Sequence, residues 1–323
     1  MTQQEFELII RSFDKKVSRR INRLIARIMR LYNSNTVDIK LIYNHAKLIN
    51  SKRLDDYTKK RIEEAVKELY DTIKQEIEKA AGEVATMTGE QNFTLSKSIY
   101  GKAKIPAKSL FIKGSINAVR SFLNRKDYGI PFSKRIWRQR REYRRRIEQA
   151  MIEGLKKGTP AKTIAKEILS SHKINAHGKG IYNDPRKNAE RLAATEVNKA
   201  YQYANWKAWK DDPRIKGIKV QLSNNHPIYD ICDELEGVYP KDFLFAGWHP
   251  NCRCVAVPVL ISERERSLHE DYLLGLRKEP PQIKYVTQPP KKFNEWLEKH
   301  SERIKGWKNT PDWIINNAKY VNL

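Results

Sequence analysis

Cys232, Cys252 and Cys254 are the only cysteines of the chain, and His249 precedes the last two by a few residues. Together they supply four soft or borderline donors, with His226 in reserve. Thiolate and imidazole are the ligands Zn²⁺ takes in tetrahedral sites, at about 2.0–2.3 Å. In a flat strand Cys252 and Cys254 would share a face but stand ~6.5 Å apart, whereas two thiolates on one zinc must approach to ~3.8 Å. A bend at Pro250-Asn251 could close that gap. Two other readings compete with zinc. In a packed turn, His249 and Asn251 hydrogen-bond backbone groups while the cysteines serve as small buried hydrophobes. Alternatively, Cys232 forms a disulfide with one of the pair. Asp230 and Asp233 beside His226 and His249 could hold Mg²⁺ or activate water, but aspartates at these places also cap a helix N-terminus. The chain contains no glycine-rich phosphate loop, nucleophile elbow or HExxH sequence, so a non-enzymatic role is expected.

A second chemical signal is cationic. The chain has 63 Lys and Arg against 38 Asp and Glu, a net charge of +25 in 323 residues. A polyanion is the partner such a charge implies. The charge concentrates in Lys134, Arg135, Arg138, Arg140, Arg141, Arg144, Arg145 and Arg146, interleaved with Trp137 and Tyr143. Guanidinium groups suit phosphate contacts, which give affinity without sequence readout; pairing with acids on a neighbouring subunit is the equal alternative. No apolar run approaches the ~18 residues of a membrane span, and the N-terminus lacks a basic region followed by an apolar one. The sparse, odd cysteine set argues against an extracellular disulfide framework and for folding in a reducing cytoplasm.

The third set is Arg191, Thr195, Glu196 and Asn198. Spacings of four and three put Arg191, Thr195 and Asn198 on one helix face, with Glu196 about 100° away. A buried polar network, with Glu196 paired to an arginine elsewhere and locking this helix to a β unit, is favoured over a ligand-binding role.

The elements that must position these groups are mostly helical. Phe6, Ile9, Phe13, Val17, Ile21, Leu24, Ile28 and Leu31 recur every three or four residues, which predicts a helix over 4–33 with a basic outer face. A short helix over 37–50 and a second stripe at Ile62, Ala65, Leu69, Ile73 and Ile77 complete an N-terminal hairpin or bundle. Gly89, Gly101 and Pro106 punctuate 86–108, which reads as a loop before a helix at 109–125. Ser133 reads as the N-cap of the basic helix, 134–157, and Gly158 as its stop. Helices follow from Pro160 and over 185–209, separated by a polar loop. Strands are expected at Lys219–Ser223 and Val255–Ile261, around a short helix or turn ended by Gly237. A proline-rich linker then leads to a helix whose Phe293, Trp296, Trp307 and Trp313 need a partner surface. The fold class is thus mainly α with a small α+β module: long N-terminal helices, a central helical/β compact domain and an extended C-terminal arm. The segments are a helical hairpin or bundle at 1–85, a connector with helix at 86–130, the compact domain at 131–262, and linker plus arm at 263–323.

Three stretches carry a family resemblance. Arg191-Leu-Ala-Ala-Thr195-Glu196-Val-Asn198 resembles the helix signature of the Mu F-like head-morphogenesis family, which comprises minor head proteins of tailed phages. His226-Pro227-x-x-Asp230-Ile-Cys232-Asp233-x-x-x-Gly237 resembles its second block, and Trp248-His-Pro-Asn-Cys252-Arg-Cys254 its closing block. The basic helix followed by Gly158-Thr-Pro matches the preamble, so the resemblance spans about 130–260. Many members carry two cysteines in the middle block; here Tyr229 stands near the first, which argues against a four-cysteine site. The resemblance implies a minor capsid component at the portal vertex or head interior of the virion, assembled in the host cytoplasm. It implies portal, major capsid or scaffold protein as partners and a role in head assembly or genome delivery. The alternatives are a nucleic-acid-binding protein outside any virion and a metal-dependent nuclease.

Overall fold

The computed structural model describes residues 2–50, 52–100, 105–127, 129–169, 184–223, 229–307 and 310–321. The expected polar loop before 184, and His226, lie outside the described residues. The chain is mainly helical with a small α+β module. In order it forms α1 (Gln3–His45), β1 (Leu48–Ile49), β2 (Arg53–Leu54), α2 (Asp56–Tyr100), α3 (Lys108–Leu123), β3 (Lys126–Asp127), β4 (Ile130–Pro131), α4 (Phe132–Lys157), α5 (Ala161–Leu169) and α6 (Pro185–Trp209). There follow β5 (Ile215–Gln221), α7 (Ile231–Glu234), β6 (Gly237–Tyr239), β7 (Val255–Leu260), α8 (Glu263–Leu273), α9 (Lys291–Lys305) and α10 (Asp312–Asn316), closed by a 3₁₀ turn, Ala318–Tyr320. Among the described residues no helix is long and apolar enough to cross a membrane.

Two compact units result. One comprises Met1–Arg19, Ala81–Gly129 and Thr195–Leu323; the other comprises Arg20–Ala80 and Ile130–Ala194. Their boundaries fall inside α1, α2 and α6 and in the turn between β3 and β4.

Several expected boundaries are corrected. The helices expected at 4–33 and 37–50 are one helix that stops at His45, Leu48–Ile49 being strand β1: the buried stripe continues past Ile28 through Tyr32, Asn35 and Ile39 to Tyr43, and Ile9, Phe13 and Leu31 are only half-buried. The loop expected from 86 is helix as far as Tyr100, because Val84, Ala85, Thr88, Gln91, Asn92, Leu95 and Ile99 keep the buried stripe unbroken. The basic helix is capped by Pro131 and not Ser133; its fixed φ (−66°) suits the entry to a helix. Gly158 ends that helix in the left-handed region (φ 64°), as its position predicts.

In the discontinuous second unit, α4 packs on α1 and α2 through Tyr32, Tyr70 and Tyr143, all buried. The Tyr32 and Tyr70 hydroxyls lie 2.8 Å apart, and Tyr143 donates to Asn35 (3.2 Å), whose amide donates to the Ala65 carbonyl (3.1 Å). Each buried phenol is thereby partnered, as burial of a polar atom requires, and burial pushes all three well above the ordinary tyrosine range.

In the first unit, Ala81 and Ala85 of α2, Ala118, Val119 and Phe122 of α3, and Ala200 and Ala204 of α6 form a close-packed seam. Beside α6 lies an antiparallel sheet of order β6-β5-β7, with Ile218 opposite both Tyr239 and Pro258. Pro258, which has no N–H, sits on the edge strand, where that costs no ladder bond; the Gln3 side chain closes this edge by donating to the Pro258 carbonyl (3.0 Å) and accepting from Leu260 N–H (3.1 Å). The proline-rich linker follows the sheet, with Val286 N–H donating to Lys216 carbonyl (2.9 Å). The expectation that the C-terminal aromatics need another protein's surface is corrected. Phe293 and Trp313 are buried against Tyr239, Phe243 and Trp248 of the same unit, Trp248 and Trp313 meeting edge-on at 5.3 Å, and Trp296 is buried against Trp313. Asn317 fixes α10 there, accepting from Leu244 N–H (2.7 Å) and donating to Leu244 carbonyl (3.0 Å).

Candidate metal centre and basic face

Within the first unit, α7 brings Cys232 to the turn that precedes β7. Asp230 caps α7: its carboxylate accepts from Cys232 N–H (2.7 Å), and its own N–H donates to Asp233 (2.8 Å). The aspartates of the middle block therefore form a reciprocal capping box. Cys252 follows Asn251, which takes the left-handed region (φ 64°), and Cys252 N–H closes the turn on the His249 carbonyl (3.1 Å). Gly247 (φ 98°) makes the entry to this turn; a Cβ there would stand 3.1 Å from that of Cys252. The bend thus takes Cys252 out of strand geometry, β7 beginning only at Val255.

The result is a compact donor set. Cys232 Sγ lies 3.7 Å from Cys252 Sγ and 3.1 Å from His249 Nε2, and the three ligand atoms are all within 4.8 Å of one another. The sulfur separation matches the ~3.8 Å that two thiolates on one tetrahedral ion require. Cys254 lies outside that set but close enough to act on both sulfurs. His249 Nδ1 is 2.8 Å from the Pro250 carbonyl; a proton donated there leaves the Nε2 lone pair toward the thiols, the outer-shell arrangement ligating histidines use. Asp230 Oδ2 also approaches Nε2, at 3.2 Å. All three cysteines are buried free thiols. Hydrogen bonding from Cys232 and then Cys254 holds Cys252 well below its ordinary value, while contact with Cys252 pushes Cys232 far up, so Cys252 ionises first. The group can hold a metal.

The set Arg191, Thr195, Glu196 and Asn198 divides. Arg191 belongs to the other unit and is half-buried. Glu196, wholly buried, meets Arg125 (3.2 Å), which also meets Asp312 (3.2 Å) and lies over the Phe122 ring at 3.4 Å; Lys199 stands 3.6 Å from Asp312. Each of these two carboxylates thus meets a cation, as buried charge requires. Thr195 and Asn198 instead hold the cysteine turn: Asn251 N–H donates to Thr195 Oγ1 (2.8 Å), and Asn198 Nδ2 donates to Cys252 carbonyl (2.8 Å). Sequence reasoning missed Gln202, which donates to Cys254 carbonyl (3.3 Å) and accepts from Ala256 N–H (3.4 Å). Its position four residues after Asn198 on the same face is the signal that could have found it.

The basic helix sorts its eight cations. Lys134, Arg138, Arg141 and Arg145 are exposed and, at steps of four, three and four, share one face about 16 Å long. Trp137 is 48% exposed among them, with the Arg141 guanidinium 4.9 Å above its ring. Arg145 pairs with Glu142 (2.7 Å). The other four are half-buried. Arg140 and Arg144 both pair with Glu63 of α2, Arg144 at 2.8 Å. Arg146 donates to the Glu167 carbonyl (3.4 Å), and burial lowers its pKa. Arg140, Arg144 and Arg146 therefore belong to packing within the unit.

No family model, curated protein or solved structure matches the chain.

Proposed function

We propose that this chain is a structural minor capsid protein of a tailed phage, which binds portal, major capsid or scaffold protein and contacts DNA non-specifically during head assembly or genome delivery. The observation that carries this reading is convergence. The helix block with Thr195 and Asn198 and the closing block with Asn251 and Cys252 meet through two backbone-directed hydrogen bonds between residues 56 and 54 apart in the chain. Two of the three stretches that resemble the head-morphogenesis family thus meet in space, which is what a shared fold would require of them. The exposed cations of α4 supply a surface suited to phosphate oxygens. Purified proheads and particles test the reading: the polypeptide is expected to co-purify with portal and major capsid protein, and its absence from both would overturn it.

The metal of this reading is Zn²⁺, held by Cys232, His249 and Cys252 with Cys254 as fourth donor. A closed set of this kind ties α7 and the turn at 250 into one structural unit. A metal-dependent nuclease would need its aspartates free for Mg²⁺, whereas Asp230 and Asp233 are engaged in the α7 cap. Metal-dependent DNA cleavage abolished by His249→Ala would reverse that preference.

A further inference from the structure

The donor set is assembled from two segments: α7 is closed by its own capping box, whereas the turn at 250 is not held in place by its own hydrogen bonds alone. Asn251 sits in a backbone region that side-chain-bearing residues seldom adopt, and Cys252 directly follows it. What fixes this turn is α6. Thr195, Asn198 and Gln202 lie at steps of three and four on one face, and their side chains meet Asn251 N–H, Cys252 carbonyl, Cys254 carbonyl and Ala256 N–H. Thr195 Oγ1, Asn198 and Gln202 thus bracket Cys252 on both sides and Cys254 on both sides. All three side chains are buried, so water does not compete for these bonds.

We infer that Thr195, Asn198 and Gln202 are positioning residues that preorganise Cys252 and Cys254 for a tetrahedral metal ion, an inference that rests on the zinc reading above. The helix does not ligate; it sets the backbone from which two of the ligands project. Outer-shell groups of this kind typically change metal affinity by about 10–100-fold when removed. The effect is directional. Thr195→Val keeps the side-chain shape but removes the acceptor for Asn251 N–H. Asn198→Asp keeps the shape but replaces the donor to Cys252 carbonyl with a carboxylate. Thr195→Ser keeps the acceptor.

The test uses the full chain, Zn²⁺ affinity from competition with a chromogenic chelator, and the visible bands of the Co²⁺-substituted protein. Thr195→Val and Asn198→Asp are each expected to weaken Zn²⁺ binding by about 10–100-fold and to lower the intensity of the tetrahedral Co²⁺ bands. Thr195→Ser, and Lys207→Gln on the exposed side of α6, are expected to behave as the unmodified chain. Thermal unfolding with excess chelator separates a general folding defect from a ligand-positioning one. If both isosteric variants lose stability equally with and without Zn²⁺, and the folded fraction keeps its affinity and its Co²⁺ spectrum, the inference is overturned. An unmodified chain that takes up no stoichiometric Zn²⁺ would instead remove the zinc reading itself, and the inference with it.

Discussion

Two glycines in the same helix should respond to the same substitution with opposite signs. Gly82 and Gly89 both lie within α2. By helix propensity alone, alanine is favoured over glycine in a helix interior by ~0.8–1.0 kcal/mol. A Cβ at Gly82 meets nothing within 4 Å, so Gly82→Ala should realise most of that gain. At Gly89 the added carbon would stand 2.5 Å from Ile112 Cα and 2.8 Å from its nitrogen. Those are backbone atoms of α3 and cannot rotate aside. The two helices must separate, which loosens the contact between Ala81 and Ala85 on one side and Ala118, Val119 and Phe122 on the other. Overpacking of this kind costs about 1–3 kcal/mol. Set against a propensity gain of ~1 kcal/mol, Gly89→Ala should be destabilising by up to about 2 kcal/mol, roughly 4–8 °C in Tm at 2–4 °C per kcal/mol for a body of 150–250 residues. Thermal and denaturant unfolding followed by far-ultraviolet circular dichroism would measure both variants beside the parent. A Gly89→Ala midpoint equal to or above that of Gly82→Ala would refute the reasoning, because it would mean that α2 and α3 are not in backbone contact at Gly89.

Burial raises the Asp14 carboxyl to about 6 despite Arg253 and Arg11 nearby, so its protonated form is the one the folded chain favours; the resulting stability is present below the ordinary carboxylate value and is lost as pH rises toward 6. Asp14→Asn should remove a pH-dependent difference of roughly 2–3 kcal/mol between about pH 4 and 6, and identical unfolding profiles for parent and variant across that range would show that the carboxyl is not buried. Replacing Lys134, Arg138, Arg141 and Arg145 with Gln should lower the slope of log affinity for duplex DNA against log salt by up to about 3–4, near 0.9 per lost phosphate contact. Glu63→Gln, which uncouples Arg140 and Arg144, should change stability more than that slope; an unchanged slope in the fourfold variant would exclude this face as the DNA surface. Asn317→Ala leaves the buried Leu244 N–H and carbonyl without their partner, at a cost of about 1–3 kcal/mol. Tryptophan fluorescence should then report earlier release of Trp313, and an unaltered transition would show that α10 does not depend on this contact.

Much of the architecture was legible because helical periodicity is a local property. The stripes through Val17, Ile21 and Leu24, through Ile62, Leu69 and Ile73, and through Ile136, Tyr143 and Ile147 each mark the buried face they predict. Donor identities were legible for the same reason: Cys232, His249 and Cys252 are rare residue types, and their chemistry is carried by the side chain itself. What the chain order could not specify is where distant segments meet. Gly89 is a helix breaker by propensity, yet it lies inside α2, because glycine there admits the backbone of α3. Phe293 and Trp313 look unpartnered in one dimension, but Tyr239, Phe243 and Trp248 cover them once the sheet forms. Arg140 and Arg144 are indistinguishable from Arg138 and Arg141 as letters; the position of Glu63 draws them away from the exposed cationic face. Whether Cys252 could reach within 3.7 Å of Cys232 depended on a left-handed turn at Asn251 and on hydroxyl and amide groups of α6 that hold it. Side-chain chemistry and periodicity are written residue by residue, whereas approach distances and pairing are set by packing among segments far apart in the chain, and these the tertiary structure alone decides.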